Sequence, residues 1–325
     1  MKLDIIVTHY NEPYSIVKPA FDMLENQRMV DWNDFRVILV NDGEDCTIPE
    51  ISQRSFPFSF VELTIPHKGV SAARNAGLDY SDAEWVMFCD CDDMFAGVYA
   101  LHEIFQVLGD SNHDLLWFPY YVERKGKNDR FIMTIGDLTM IHGKIFRRQF
   151  LLDKNLRFCE DLYYAEDMAF IVLVSCEIGK KRTGRINPGM PLYVYTTRAG
   201  SVTTNPKNNF RNMVGVFHKQ QYMVNELRKR GRDGEAKHYA VRTMTDAYMI
   251  LCRDDVDIPK AELDVEAQEF YRKNRDDIRS VSKEEIAFLL KSSLDEFRFI
   301  SNDVHITVPF DKWLDGWVRL HHLDE

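Results

Sequence analysis

Four short apolar runs, Leu3–Thr8, Phe35–Val40, Val61–Ile65 and Glu84–Cys89, are separated by stretches of helical spacing, and three of them stop abruptly at polar residues. The first ends in Thr8-His9-Tyr10-Asn11-Glu12, the second in Asn41-Asp42-Gly43, and the last in Asp90-Cys91-Asp92-Asp93. Runs this short, apolar on both faces and linked by helices, fit a mostly parallel sheet covered on both sides. Helices are expected over Tyr14–Gln27 and Ser71–Leu78, the second carrying Ala72, Ala73, Ala76 and Leu78. In such α/β sheets ligands bind beyond the carboxyl ends of the strands, so the three polar tips are expected to line one crevice.

After residue 205 the pattern changes. Met213, Val216, Phe217, Met223, Val224 and Leu227 recur at helical spacing, and a second such stretch holds Tyr239, Met244, Ala247, Tyr248 and Leu251. Ser282-Lys283-Glu284-Glu285 reads as a capping box before Ile286, Leu289, Leu290 and Phe297. With 325 residues, the chain exceeds one average domain. The division expected is a catalytic α/β domain over 1–205 and a helical appendage over 206–325. Between the two characters, Leu115–Val122 and Leu192–Tyr195 read as strands and Ala165–Glu177 as a helix.

The formal charge of −10 disfavours nucleic acid as the partner, since binding there depends on phosphate neutralisation. Short basic runs such as Arg228-Lys229-Arg230 and Lys180-Lys181-Arg182 read as solvated faces, with an anionic polymer or a membrane surface as the alternative. Six scattered cysteines without a C-x-x-C pair fit reduced thiols, hence a cytoplasmic setting. No signal peptide and no transmembrane segment is expected, and any membrane contact would be peripheral, at the inner face.

Three carboxylates within four positions, Asp90, Asp92 and Asp93, repel one another at the end of a buried strand unless a cation or donors neutralise them. Hard divalent ions are held by such groups together with substrate phosphates. The competing reading is an acidic turn capping a helix over Met94–Val107. Arg74, on the small-residue helix, can offer a guanidinium to a diphosphate or can be an ordinary surface residue. Glu166 and Asp167 at a helix start are macrodipole partners or, in a cleft, a general base. No G-x-G-x-x-G follows the first strand and no P-loop sequence is present, which disfavours dinucleotide oxidoreductases and P-loop phosphotransferases. Trp117-Phe118-Pro119-Tyr120-Tyr121 reads as buried core rather than a sugar platform.

In their order along the chain, Ile5–Glu12, Val37–Gly43, His67–Leu78, Asp90–Asp93, Gly143–Arg148, Ala165–Met168 and Tyr195–Ser201 resemble the GT-A fold glycosyltransferases of family 2. The resemblance covers about residues 1–205. It implies a nucleotide-sugar donor, usually UDP-linked, contacted by Thr8, Tyr10, Glu12, Asp42, Arg74 and Asp90. It implies Mn2+ or Mg2+ on Asp92, a catalytic base at Asp167 with Glu166 beside it, and a closing loop with Arg198 and Ser201. The activity implied is inverting, non-processive transfer of a hexosyl or N-acetylhexosaminyl group to a carbohydrate or glycoconjugate acceptor in surface polysaccharide synthesis. A scaffold that has lost catalysis is the alternative, against which Asp90, Asp92 and Asp167 stand together. A nucleotidyltransferase would show a Gly-rich basic first loop, where this chain has Tyr10-Asn11-Glu12-Pro13. For 206–325 the readings left open are acceptor binding, homo-oligomer formation and support.

Overall fold

Strand order fixes where the polar tips lie. The structure, a computed structural model, describes residues 1–109, 111–124, 130–134, 139–179, 182–187, 189–198, 205–253, 260–300 and 308–324. It divides into two units: one formed by Met1–Asp161 and Glu166–Arg198, the other by Leu162–Ala165 and Ala199–Glu325.

In the first unit the strands are β1 (Leu3–His9), β2 (Phe35–Asp42), β3 (Ser59–Ile65), β4 (Trp85–Asp90), β5 (Met94–Phe95), β6 (Leu115–Trp117), β7 (Tyr120–Arg124), β8 (Arg130–Thr134), β9 (Lys144–Arg147), β10 (Thr183–Arg185) and β11 (Tyr193–Tyr195). Its helices are α1 (Tyr14–Glu25), α2 (Pro49–Ser52), α3 (Val70–Tyr80), α4 (Ala100–Leu108), α5 (Arg148–Asp153) and α6 (Glu166–Glu177). Seven strands form the main sheet in the order β10-β6-β9-β4-β1-β2-β3. β4, β1, β2 and β3 run parallel, and β9 is antiparallel to both β4 and β6. Thr8 pairs with Val40 on one side and Asp90 on the other, so all three polar tips emerge at the same sheet end.

Alternating residues of the central strands face opposite layers. Ile5, Val7, Val37, Leu39 and Met87 pack in one buried core with Val17, Phe21 and Leu24 of α1 and Leu101 and Ile104 of α4. Fully burying a side chain of this kind contributes about 1.5–3 kcal/mol. On the other face Phe88 meets Phe146, Phe158 and Phe170, and Phe158 stacks on Phe170 at 4.0 Å. α3 lies so close to β1 that a Cβ on Gly77 would fall 2.4 Å from Ile6 Cγ2. The polar Asp4 inside β1 is fully buried and answered: Arg36, its register partner on β2, donates to it at 2.9 and 2.7 Å, and the Ser81 hydroxyl donates at 2.6 Å.

The expected strand over Leu115–Val122 is two strands in two sheets. Phe118 and Pro119 divide β6 of the main sheet from β7, which joins a four-stranded sheet in the order β5-β11-β7-β8. Proline has no N–H for a ladder and restricts the residue before it, so the chain changes sheets there. Phe118 and Tyr120 are buried, as core residues are.

The second unit contains α7 (Asn209–Lys229), α8 (Asp233–Leu251), α9 (Lys260–Arg279), α10 (Lys283–Ile300) and α11 (Phe310–Leu320). Met213, Val216, Phe217 and Val224 share a core with Met244, Ala247, Tyr271, Phe297 and Trp317. The expected cap at α10 is present, with Glu285 N–H donating to Ser282 Oγ at 3.2 Å. Arg242 and Lys219 both pair with Glu296, and burial pushes the neighbouring Asp246 up to about 6 against the pull of Arg242. No helix among the described residues is long and apolar enough to cross a membrane.

Candidate active site

The turn after β4 carries the site's charge. Asp90 ends the strand, and its Oδ1 accepts from Thr8 Oγ1 at 3.3 Å and from Arg74 Nη2 at 2.9 Å. Arg74 is buried, its other terminal nitrogen donates to Glu166 at 2.8 Å, and its guanidinium lies 5.2 Å over the Phe158 ring. Burial works against the Arg74 charge, yet Asp90, Glu166 and Asp167 together raise its pKa. Burial likewise works against ionised Asp90, but Arg74 and His142 outweigh it and hold Asp90 below the ordinary carboxylate range.

Asp92 is in the opposite condition. Burial first, then the charges of Asp93 and Asp90, push it up to about 7, even though Arg198 Nε donates to it at 2.7 Å. Arg198 also pairs with Glu12. Glu12 accepts in addition from the Tyr10 backbone N–H at 2.8 Å. Asp93 is buried beneath the turn, where Tyr193 O–H and Thr196 N–H each donate at 2.8 Å and His142 Nδ1 lies 3.3 Å away. Burial raises the Asp93 pKa despite His142. The His142 pKa is raised as well: burial opposes its charge, and Asp93, Asp90 and Asp167 overcome that penalty.

These acids do not cap the next helix. α4 starts only at Ala100, after the short strand β5, and no side chain caps it. The competing structural reading of the acidic turn therefore falls. Ligand atoms of Asp90, Asp93 and His142 lie within 4.8 Å of one another, a group that could hold a metal ion. Two carboxylates and an imidazole are a donor set that Mn2+ accepts. Asp90, Asp93 and His142 thus fit a divalent ion by their chemistry, while Asp92, the metal ligand that the resemblance implies, is outside that group and pairs with Arg198.

Glu166 and Asp167 open α6. Burial, with Asp167 beside it, raises Glu166 against the pull of Arg74. Asp167 accepts from Met168 N–H at 2.7 Å and Ile141 N–H at 3.4 Å. Asp42 accepts at 2.8 Å from Lys68 N–H and at 2.9 Å from Gly69 N–H, in the turn that leads into α3. Gly69 has φ 96°, a conformation open to glycine, and this allows two successive amides to point at one carboxylate. Tyr10, 44% exposed, stacks on His67 with centroids 4.1 Å apart.

Hydrogen bonds thus link Thr8, Asp90, Arg74 and Glu166 in one group and Glu12, Arg198 and Asp92 in another, to which the Tyr10 N–H and, through its stack on Tyr10, the His67–Asp42 pair are joined. Ser201 lies outside the described residues. Sequence reasoning missed His142, a lone histidine in Ile141-His142-Gly143 whose neighbours give no chemical signal. It also gave no role to His67, although that residue opens a motif it singled out.

A mostly parallel sheet, an Asp-x-Asp turn at the end of its fourth strand, and an arginine–carboxylate bridge above it define a GT-A domain. Residues 4–165 match the family described as Glycosyl transferase family 2, and through this domain the chain belongs to that family. The uncharacterized glycosyltransferase EpsJ of Bacillus subtilis (strain 168) is 25% identical over 233 residues, covering 63% of this chain and 63% of EpsJ. Poly(ribitol-phosphate) beta-N-acetylglucosaminyltransferase TarP of Staphylococcus aureus (strain N315) is 28% identical over 189 residues, covering 53% of this chain and 56% of TarP. The chain therefore matches less than two thirds of the length of either relative. The crystal structure of S. aureus TarS 1–349 superposes on 93% of this chain and 90% of its own with a TM-score of 0.58 at 17% identity, a likeness of fold alone.

Proposed function

We propose that this protein transfers a sugar from a nucleoside diphosphate sugar, UDP-linked, to a hydroxyl of a carbohydrate or glycoconjugate, with inversion at the anomeric carbon. The observation that carries this reading is the Arg74 bridge, which ties Asp90 of the Asp-x-Asp turn to Glu166, the neighbour of Asp167. A donor-binding acid and a base-bearing helix start are thereby held in one hydrogen-bonded network, as displacement at a single carbon requires.

In this mechanism Thr8, Tyr10, Glu12 and Asp42 form the nucleotide's seat, and Asp90 accepts hydrogen bonds from ribose or sugar hydroxyls. Asp92 is the metal ligand, and the group of Asp90, Asp93 and His142 offers further donors. Bound there, Mn2+ or Mg2+ would supply Lewis-acid neutralisation of the diphosphate. Arg74 holds Asp90 ionised and in place. Arg198, exchanging Asp92 and Glu12 for the donor, meets diphosphate charge, and Ser201 is the second donor-binding residue of that motif. Asp167 takes the proton of the attacking acceptor hydroxyl, and Glu166 beside it sets the local charge. One base on one face gives direct displacement and inversion.

Transfer is non-processive in this account, of hexosyl or N-acetylhexosaminyl groups in surface polysaccharide synthesis; the N-acetylglucosaminyl transfer in TarP's name supports the second of the two groups. The helical unit serves acceptor binding, self-association or support, and the setting is cytoplasmic with peripheral membrane contact at most. A thermal-shift screen of nucleotide sugars with Mn2+ tests the reading, because a ligand of the folded state raises Tm. A shift selective for UDP sugars and dependent on Mn2+ supports it. No shift with any nucleotide sugar refutes it.

A further inference from the structure

Phe158 lies in the stretch after α5 that is neither helix nor strand, so its backbone N–H and C=O have no ladder to join. Asn75 of α3 answers both. Its Oδ1 accepts from Phe158 N–H at 3.0 Å, and its Nδ2 donates to the Phe158 carbonyl at 2.9 Å. Asn75 is 8% exposed and Phe158 2%, so the clasp is closed to water. Asn75 Nδ2 also donates to Glu160 Oε1 at 3.1 Å, and one turn further along α3 Asp79 accepts from Arg157 at 2.6 Å. The stretch is thus pinned to α3 on both sides of Phe158.

The ring held in this way touches every element that carries the Arg74 bridge. The Arg74 guanidinium lies over it at 5.2 Å. Phe88, two residues before Asp90 on β4, meets it edge-on at 5.0 Å. Phe170 stacks on it at 4.0 Å, with 13° between the rings. Phe170 follows Glu166 by four residues and Asp167 by three, so it lies one turn behind the two acids on the same side of α6. We propose that Asn75 positions the base for transfer: by fixing the Phe158 ring it sets where the head of α6 stands against Arg74 and Asp90. This rests on the function proposed above and adds a positioning residue to it, one whose amide is spent on Phe158. A misplacement of about 1 Å in such a setting costs about 100-fold in rate, whereas an amide that only satisfied a buried peptide would show in stability and not in kcat.

The test compares Asn75→Ser, Phe158→Leu and the double variant in the full chain. Turnover is UDP released, with Mn2+, from the UDP sugar that shifts Tm most, and calorimetry with UDP gives affinity and the fraction of folded molecules. Each single variant is expected to lose about tenfold or more in kcat per UDP-binding molecule, with UDP affinity within about twofold of wild type. The double variant should lose no more than the more damaging single, because Asn75 acts through Phe158. If Asn75→Ser does not fold, Asn75→Asp takes its place: it keeps the acceptor for Phe158 N–H, sets an oxygen against the Phe158 carbonyl, and should show the same losses. A kcat within about twofold of wild type in both singles overturns the inference. A double loss equal to the product of the single losses overturns it as well, since the two residues would then act independently. So does a fall in UDP affinity as large as the fall in kcat, which would put Asn75 in the donor seat. A wild type that binds UDP but releases none from any UDP sugar overturns the proposed transfer itself, and this inference with it.

Discussion

Arg74 and Asp90 are joined by a 2.9 Å hydrogen bond in which the arginine is almost wholly enclosed and the carboxylate partly so. The same guanidinium reaches Glu166, so a single cation compensates two carboxylates brought from the end of β4 and the start of α6. Arg74→Met is expected to cost about 3 kcal/mol at neutral pH, because it strands both charges. Protonation relieves stranded carboxylates, so the loss should shrink as pH falls towards 5. Urea denaturation at the two pH values checks this, and an equal loss at both would show that the charges are not what Arg74 supports. Arg74→Lys should recover only part, since an ammonium lacks the planar fork that serves two partners.

Asp92 gives a pH dependence with a definite sign. Its ordinary value is 3.8 and the fold pushes it up to about 7. The folded state therefore holds this proton more tightly than the unfolded one. The resulting stability is fully present below the unfolded value and is lost as pH rises through the folded one. Tm of the metal-free protein should fall across that interval, and Asp92→Asn should flatten the fall. Mn2+ needs the ionised ligand, so its stabilising effect should be larger above pH 7 than near pH 5. Scanning calorimetry of wild type and variant, with and without Mn2+, reads all of this.

Gly77→Ala should destabilise by about 1–3 kcal/mol, the range for overpacking a close-fitted contact. The added methyl would sit 2.4 Å from Ile6 Cγ2, which cannot swing aside because Ile6 Cβ is itself only 3.3 Å away. Combining it with Ile6→Ala should give a loss smaller than the sum of the two. A double-mutant cycle by denaturation decides, and simple additivity would mean the helix moves instead.

The central strands were legible because their signal is local: β1, β2 and β4 are largely apolar on both faces, and each runs only one or two residues into its polar tip. The Asp-x-Asp turn was legible for the same reason. The position of β9, antiparallel between β4 and β6, was not, because four residues of Lys-Ile-Phe-Arg carry no record of which strands they pair with. α9 escaped as well, its charged sequence masking Leu263, Ala267, Phe270, Tyr271 and Ile278, which are buried on one face. Within the site, His142 and Tyr193 carried no signal in the sequence. Their meaning comes from Asp93, to which tertiary contacts bring them from 49 and 100 positions away.

Asp167→Asn bears on the central claim, that a carboxylate at the head of α6 activates an acceptor for attack on a nucleotide sugar. The measurement is sugar transfer together with UDP affinity in the presence of Mn2+, using the donor and acceptor on which the wild type turns over. The account predicts that turnover falls by about 100-fold or more while UDP binds within about twofold of wild type. Turnover equal to the wild type's, with Asp167 gone, would contradict it.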